Sequence, residues 1–500
     1  LNKVTIVFWV ALGILLLFIG YGVIAPDSFS EVTGDMTSWI SDSLGWYYLL
    51  AVTGFVLVCL FLAFSPYGKI KLGKPDDKPD YSYLTWFAML FSAGMGIGLV
   101  FWGAAEPISH YAISPATQEA GSDAAVTESL RYAFFHWGIH AWAIYAIVAM
   151  SLAYFKFRHN APGLISGALT PVLGKYAKGP TGNVIDILAV TATVVGVAGT
   201  LGFGASQING GLDFLFGIGN NITIQVIIIA VVTVLFMLSA YTGLNKGIKI
   251  LSNVNMVLAG LLLLFMFVFG PTIFNLNLLT NTIGTYIQQL PSMSFRISPL
   301  SEDERSWING WTIFYWAWWI AWAPFVGSFI ARVSKGRTIR EFVLGVLLVP
   351  ATLSFIWFSV FGGSAIYLET NGIAMISELA TEEALFGVLE QYPLGTIMSF
   401  LAIALISTFF ITSADSGTFI LGMQTTNGSL TPPKMVKLVW GLILSLTAAI
   451  LLYTGGLQAL ENAMIIAALP FSVIMIMMAV SLVKSLRTEK HLVTKKKKNA

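Results

Sequence analysis

Charge is what this 500-residue sequence has least of. Its 27 Lys and Arg and 25 Asp and Glu make up 10 % of the chain, where soluble domains carry about 25 %. So sparse a set cannot cover the surface of a water-soluble fold of this length. The net charge of +2 excludes the basic face that a nucleic-acid binder needs. The single cysteine, Cys59, lies inside an apolar run, which excludes a disulfide framework and a thiolate metal cluster. Five histidines without a Cys/His cluster argue against a structural zinc site. No low-complexity linker divides the chain, and no polar stretch is long enough to fold alone. Hydrophobic residues, at 56 %, fill the space that charge leaves. This is the composition of an integral membrane protein.

Apolar runs of about 18 residues or more read as spanning helices. Twelve are predicted, at roughly 4–24, 46–65, 84–107, 131–155, 184–215, 222–241, 247–270, 309–332, 341–366, 394–422, 436–454 and 457–483. Pass 1 is too long for a cleavable signal and has no small-residue cleavage pattern after it. Of the 27 Lys and Arg, only Arg131, Arg296 and Arg305 fall on the side of the odd connections. The odd loop 367–393 holds five Glu and no base. Positive charge stays cytoplasmic during insertion, so both termini are expected in the cytoplasm. Residues 278–290 carry apolar positions at helical spacing and are expected along the outer interface, with 381–391 a weaker case. The basic tail is either a solvated end that also fixes topology or a contact for anionic lipid.

Two passes carry helix-breaking residues. Pass 3 has Gly94, Gly96 and Gly98 at every second position, and each glycine costs about 1 kcal/mol against alanine in a helix. Gly94 and Gly98 alone could form a helix-contact stripe. The alternative is an unwound segment, which survives in a membrane only against protein or a water-filled cavity. Pass 8 has Pro324 and Gly327 in its middle, and a proline removes a backbone hydrogen bond there. Interrupted helices at matching places in two halves are a sequence pointer to a transporter site. An offset of five passes is odd, so the two units would be inverted repeats, 3–7 and 8–12, behind two added N-terminal helices.

Pass 8 also runs Trp311-Thr-Ile-Phe-Tyr315-Trp316-Ala-Trp318-Trp319-Ile-Ala-Trp322. Interfacial belts put tryptophan at helix ends, and most of these are near mid-helix. At about 100° per residue, Tyr315, Trp318, Trp322 and Phe325 share one face, with Trp319 at its edge. Pass 4 supplies Trp137, Trp142 and Tyr145. Any one of these rings could be packing. Two clusters beside two broken helices predict a cage for a cation. A quaternary ammonium has no N–H for a carboxylate to accept, and indole faces hold it at about 0.5–2 kcal/mol each when desolvated. Rings also avoid burying an unpaired acid.

The segments Gly94-Met-Gly-Ile-Gly98, Phe314-Tyr-Trp-Ala-Trp-Trp-Ile-Ala-Trp-Ala-Pro-Phe325 and Thr412-Ser-Ala-Asp-Ser416 resemble the betaine–choline–carnitine transporter family, with the bacterial sodium-coupled glycine betaine importers most similar. The resemblance runs from about residue 84 to 430. It implies an all-α membrane protein of 12 helices, two extra N-terminal ones plus a 5+5 inverted-repeat (LeuT-like) core with broken helices 3 and 8. It implies further a homotrimer in the bacterial cell membrane. Along the chain this divides into 1–80, a first repeat 81–270, a connection 271–307, a second repeat 308–484 and a tail 485–500.

Carried over by residue, the resemblance implies a betaine box of Trp137, Trp142, Tyr145 and Trp319. Trp318 and Trp322 would line the box or its inward exit. The substrate carboxylate would meet backbone amides of Gly94, Gly96 and Gly98. Sodium, the coupling ion, would take the Ser92, Met95 and Phe409 carbonyls and the Thr412 and Ser413 hydroxyls, hard oxygen ligands for a small alkali ion. Adjacent hydroxyls also serve as ordinary interhelical glue. A second sodium would use Thr193 and Phe325, but Val197 stands where the family has a second threonine.

Glu106, His136, His140, Asp186 and Asp415 are functional candidates because they are ionisable inside the membrane. Glu106 and Asp186 lie near pass ends, where water reaches. His136 and His140 share a face, either as a proton relay or as a packed neutral pair. The function expected is import of glycine betaine or a close quaternary-ammonium osmolyte with sodium, by alternating access, for osmotic protection, with no cofactor. The alternative is a proton-coupled choline importer or a carnitine/butyrobetaine exchanger of the same fold. A channel lacks its continuous polar lining and an enzyme its converging acid–base set.

Overall fold

The structure is a computed structural model that describes residues 3–242 and 245–498, with side chains outside 242–249 and 490–498. Lys246 and Lys249, and the tail lysines Lys490 and Lys495 to Lys498, therefore have side chains outside the described residues. Among the described residues there is no strand, only an isolated bridge between Lys71 and Thr338. Everything else regular is helix. In a hydrocarbon layer a helix satisfies its own backbone, and this sequence supplies the apolar length to do so.

Among the described residues, ten helices are long and apolar enough to cross a membrane, and a bent pair makes up to eleven. The last of them, Lys434–Lys498, is interrupted by non-helical Gly455 and Gly456, where the sequence separates passes 11 and 12. The helix of pass 2 begins at Pro26, far before the apolar run. Its first turns carry Asp27, Glu31, Asp35 and Asp42. Hydropathy marks where a helix enters lipid, and this one continues beyond. The connection expected near 278–290 is a helix, Thr272–Ser294, and the weaker stretch after it is a short helix, Ala384–Glu390.

The helices divide by burial. Pass 4 has 94 % of its most apolar window buried and pass 8 has 83 %, against 22 % for pass 6 and 28 % for pass 7. The aromatic passes form the centre and the plain aliphatic ones the rim. Cys59 is wholly buried against the inner helices.

Three departures from the expected helix breaks bear on function. Pass 3 does break, but only at Met95 and Gly96: helices Tyr83–Gly94 and Ile97–Ile108 meet there at a 63° bend. Gly94 and Gly98 are already helical. Pass 8 does not break, since the helix Phe314–Val333 runs through Pro324. A proline removes one hydrogen bond, and dense packing on both sides holds the helix through that loss. The matched pair of interrupted helices is thus reduced to one. Pass 4 breaks where no break was expected, at Gly138 (φ −98°, ψ −136°), between helices Asp123–Trp137 and Ile139–Ala153.

Candidate functional site

The pass 4 break sets the geometry of the aromatic cluster. A Cβ on Gly138 would stand 2.4 Å from the Phe134 carbonyl oxygen and 3.0 Å from the Phe355 ring, so only glycine fits. The exposed N–H of Ile139 points to the Tyr286 hydroxyl, 3.4 Å away on the helix Thr272–Ser294. The bend turns Trp137 and Trp142, one on each side of it, toward the same space.

That space is a cavity of about 40 Å³, room for two or three waters at about 15 Å³ each. Trp137, Trp142, Tyr145, Trp318, Trp319 and Trp322 line it, with Gly94, Gly96 and Gly98 from pass 3. Its other lining residues are Ala93, Leu99, Ala141 and Ser354, none of them ionisable. The rings touch in sequence. Trp142 and Tyr145 lie 5.2 Å apart at 72°, Tyr145 and Trp319 6.1 Å at 71°, Trp319 and Trp137 4.8 Å at 71°. Trp318 stacks on Trp319 at 4.7 Å and 18°.

The three glycines differ in role. A Cβ on Gly98 would come within 2.7 Å of the Trp318 ring and 3.2 Å of Trp137, so its smallness lets the rings close. Gly96 is extended, with φ −171°, and open space lies where its Cβ would be. Its value is bare backbone beside the cavity.

Four of the indole N–H groups at the cluster are anchored. Trp319 donates to the His136 carbonyl at 2.8 Å, Trp322 to the Gly196 carbonyl at 3.0 Å and Trp318 to the Thr200 hydroxyl at 3.1 Å. Trp137 donates to the Glu106 carboxylate at 2.8 Å. Glu106 is fully buried, so the expectation that water reaches it is overturned: the bent second half of pass 3 carries it inward. Asp186 is buried too, accepting from the Ser166 N–H at 3.0 Å and hydroxyl at 2.7 Å. His136 and His140 share no hydrogen bond. His140 meets the Ser294 hydroxyl at 2.9 Å and stacks on Trp316.

A second cavity, of about 300 Å³, adjoins the first through Trp322, which lines both. Ser92, Met95, Phe409, Thr412 and Ser413 all lie on its wall, with Phe325. Sequence reasoning missed Asn255 of pass 7. Its amide N–H donates to the Thr412 hydroxyl at 2.9 Å, while its Oδ1 is buried with no partner among the described residues. Asp415 Oδ1 is in the same condition on the same wall. Orphaned oxygens at a cavity wall suit a small cation. Thr193 lines neither cavity, and its hydroxyl is spent on the Ala189 carbonyl at 2.7 Å.

Comparison with known proteins bears on this arrangement directly. Residues 6–491 match the family described as BCCT, betaine/carnitine/choline family transporter. The chain is 59 % identical, over its whole length and 97 % of the relative's, to "Glycine betaine transporter OpuD" of Bacillus subtilis. It is 45 % identical to a "Probable glycine betaine transporter" of Desulfitobacterium hafniense, covering 98 % of each chain. It is 44 % identical to an "Ectoine/hydroxyectoine transporter" of Virgibacillus pantothenticus, over 97 % of this chain and 98 % of that one. A match along nearly the full length, and not at the tryptophan segment alone, identifies this multi-pass membrane protein as a member of the betaine/carnitine/choline transporter family.

Proposed function

We propose that this transporter imports glycine betaine together with sodium, by alternating access in a bacterial cell membrane, and so protects the cell against osmotic stress. The observation that carries the substrate is a cavity walled mainly by aromatic rings and bare backbone with no carboxylate, amine, guanidinium or imidazole. A trimethylammonium group needs such a wall, because it offers no hydrogen bond and is held by ring faces. The pass 3 break supplies what the other end of the molecule needs, backbone amides at Gly96 freed from the helical ladder. The relatives named for glycine betaine agree with this choice.

Sodium would sit in the adjoining cavity, on the Ser92, Met95 and Phe409 carbonyls and the Thr412 and Ser413 hydroxyls. Asn255 Oδ1 is a further oxygen within the same wall. The absence of Lys and Arg among those oxygens supports an ion over a built-in charge; Arg332 and Lys437 line the cavity elsewhere. Because Met95 belongs to the break and Trp322 to both walls, ordering either side lowers the cost of ordering the other. Such mutual ordering is a coupling free energy. A second ion at Thr193 and Phe325 has no such support, because the Thr193 hydroxyl is spent on the Ala189 carbonyl and lines neither cavity. The two five-helix halves would move against each other within a homotrimer, as the family resemblance implies.

Radiolabelled glycine betaine uptake into proteoliposomes tests the reading, with an inward sodium gradient set against potassium at equal potential and pH. Sodium-driven accumulation is expected. Uptake indifferent to sodium would overturn the coupling, and accumulation of ectoine or choline but not betaine would overturn the substrate.

A further inference from the structure

Glu106 touches neither cavity, yet it is the most heavily engaged side chain near the aromatic box. Its Oε2 accepts from the Trp137 indole at 2.8 Å and from the Tyr315 hydroxyl at 2.6 Å. Its Oε1 meets His136 Nδ1 at 2.7 Å and His110 Nε2 at 3.2 Å. A carboxylate has about four lone-pair sites, and four partners fill them here. The three groups Glu106, His110 and His136 lie close enough to hold a metal ion, but both carboxylate oxygens are already engaged. His136 Nε2 is likewise engaged, with the Thr312 hydroxyl at 3.0 Å. This is a hydrogen-bond network that leaves only His110 Nδ1 buried without a partner among the described residues.

Its reach is what gives it meaning. Glu106 belongs to the second half of pass 3, Trp137 and His136 to pass 4, Tyr315 and Thr312 to pass 8. The network therefore ties together the three segments that build the box. Two of the box indoles end in it, Trp137 on the carboxylate and Trp319 on the His136 carbonyl. Tyr315 stacks at 5.7 Å and 26° on Trp319, and at 6.0 Å and 19° on Trp318. Among the described residues no Lys or Arg forms an ion pair with Glu106.

We propose that Glu106 is the positioning residue of the aromatic box: its carboxylate fixes the plane of Trp137 and enriches that ring for the substrate cation. The inference rests on the betaine reading of the box. Attraction of a cation to a ring acts at the ring face, so it depends on how the indole is turned. A buried indole N–H that loses its acceptor turns to find another, and the face turns with it. The carboxylate acts electronically as well. A negative acceptor on the indole N–H pushes electron density into the ring, and polarisation of this kind is stronger where the dielectric is low. The negative charge is thus kept one ring away from the ammonium, which it attracts without touching. Direct contact would demand desolvating the acid against a group that cannot donate to it.

The test is a double-mutant cycle on the purified full-length chain, read as binding of radiolabelled glycine betaine in saturating sodium. Glu106→Gln is nearly isosteric and keeps an acceptor while removing the charge; Glu106→Ala removes both. The expected losses of affinity are about threefold for Glu106→Gln and about tenfold for Glu106→Ala, the latter equal to about 1.4 kcal/mol. In a Trp137→Phe background, which has no N–H to anchor, either change should cost less than about twofold. Such non-additivity marks two residues acting as one unit. A merely structural Glu106 would lower the amount of folded protein or its melting temperature and leave affinity alone. Losses that multiply with Trp137→Phe, or an unchanged affinity in folded Glu106→Gln, would overturn the inference. Trp319→Ala in the same assay separates the two claims. If it binds betaine normally, the box itself fails; if it loses binding while Glu106→Gln does not, only the positioning role fails.

Discussion

The two adjoining cavities are built from opposite materials. The smaller offers ring faces and bare backbone, while the larger offers hydroxyls, carbonyls and orphaned amide and carboxylate oxygens. One suits a bulky cation whose charge is wrapped in methyl groups. The other suits a bare ion that must replace its hydration shell with oxygen. Neither could do the other's work, and under the proposed function keeping them distinct would let a single protein discriminate two cations by the softness of their surfaces. Trp322 and Ala93, on both walls, form the shared partition.

The contrast is broken most directly at the aromatic side. Trp319→Ala and Trp142→Ala should each weaken glycine betaine binding by about tenfold or more, as loss of a desolvated ring does. The sodium concentration for half-maximal effect should move far less, and radioligand titration at several sodium concentrations reads both. Gly138→Ala comes next. Its new methyl would meet the Phe134 carbonyl at 2.4 Å, so the pass 4 bend must open and carry Trp137 and Trp142 apart. Uptake should fall several-fold, with a lower melting temperature by fluorescence scanning.

On the oxygen side, Asn255→Ala should raise the sodium requirement about threefold to fivefold, close to one hydrogen bond's worth. At saturating sodium its betaine affinity should return to that of the unaltered chain. An equal loss at all sodium concentrations would show that the two cavities are not separable. The smallest effect is expected for Tyr286→Phe, which withdraws the hydroxyl from the Ile139 N–H. A change of about twofold in betaine affinity, with sodium dependence untouched, would attach the helix Thr272–Ser294 to the aromatic side alone.

What could be read from the sequence depended on whether neighbours along the chain were also neighbours in space. Of the pass 8 rings that helical spacing puts on one face, Trp318 and Trp322 line the aromatic cavity, Phe325 lines the other and Tyr315 neither, whereas the nine residues that the family resemblance implied around the substrate all line one cavity. The five expected around sodium, drawn from the family resemblance, line the other. Asn255 was not legible, because Ser252, Asn253 and Asn255 stand together in an otherwise aliphatic stretch and their spacing does not say which oxygen faces a cavity. Glu106 was misjudged because position near a pass end says nothing of the bend that turns the helix inward. Pro324 misled in the opposite sense: composition records a missing hydrogen bond but not the packing that outweighs it. Gly138 is one glycine among 47, and only the helix break it makes between Trp137 and Trp142 sets it apart.

Cys59, the one cysteine of the chain, is sealed among the inner helices. A thiol reagent in the aqueous phase has no route to it. An introduced cysteine at an exposed position would then be the sole reactive thiol, ready for a spin label or a fluorophore without any prior replacement. Distances between pairs of such labels, measured with and without glycine betaine, would test whether one half moves against the other in the otherwise unaltered sequence.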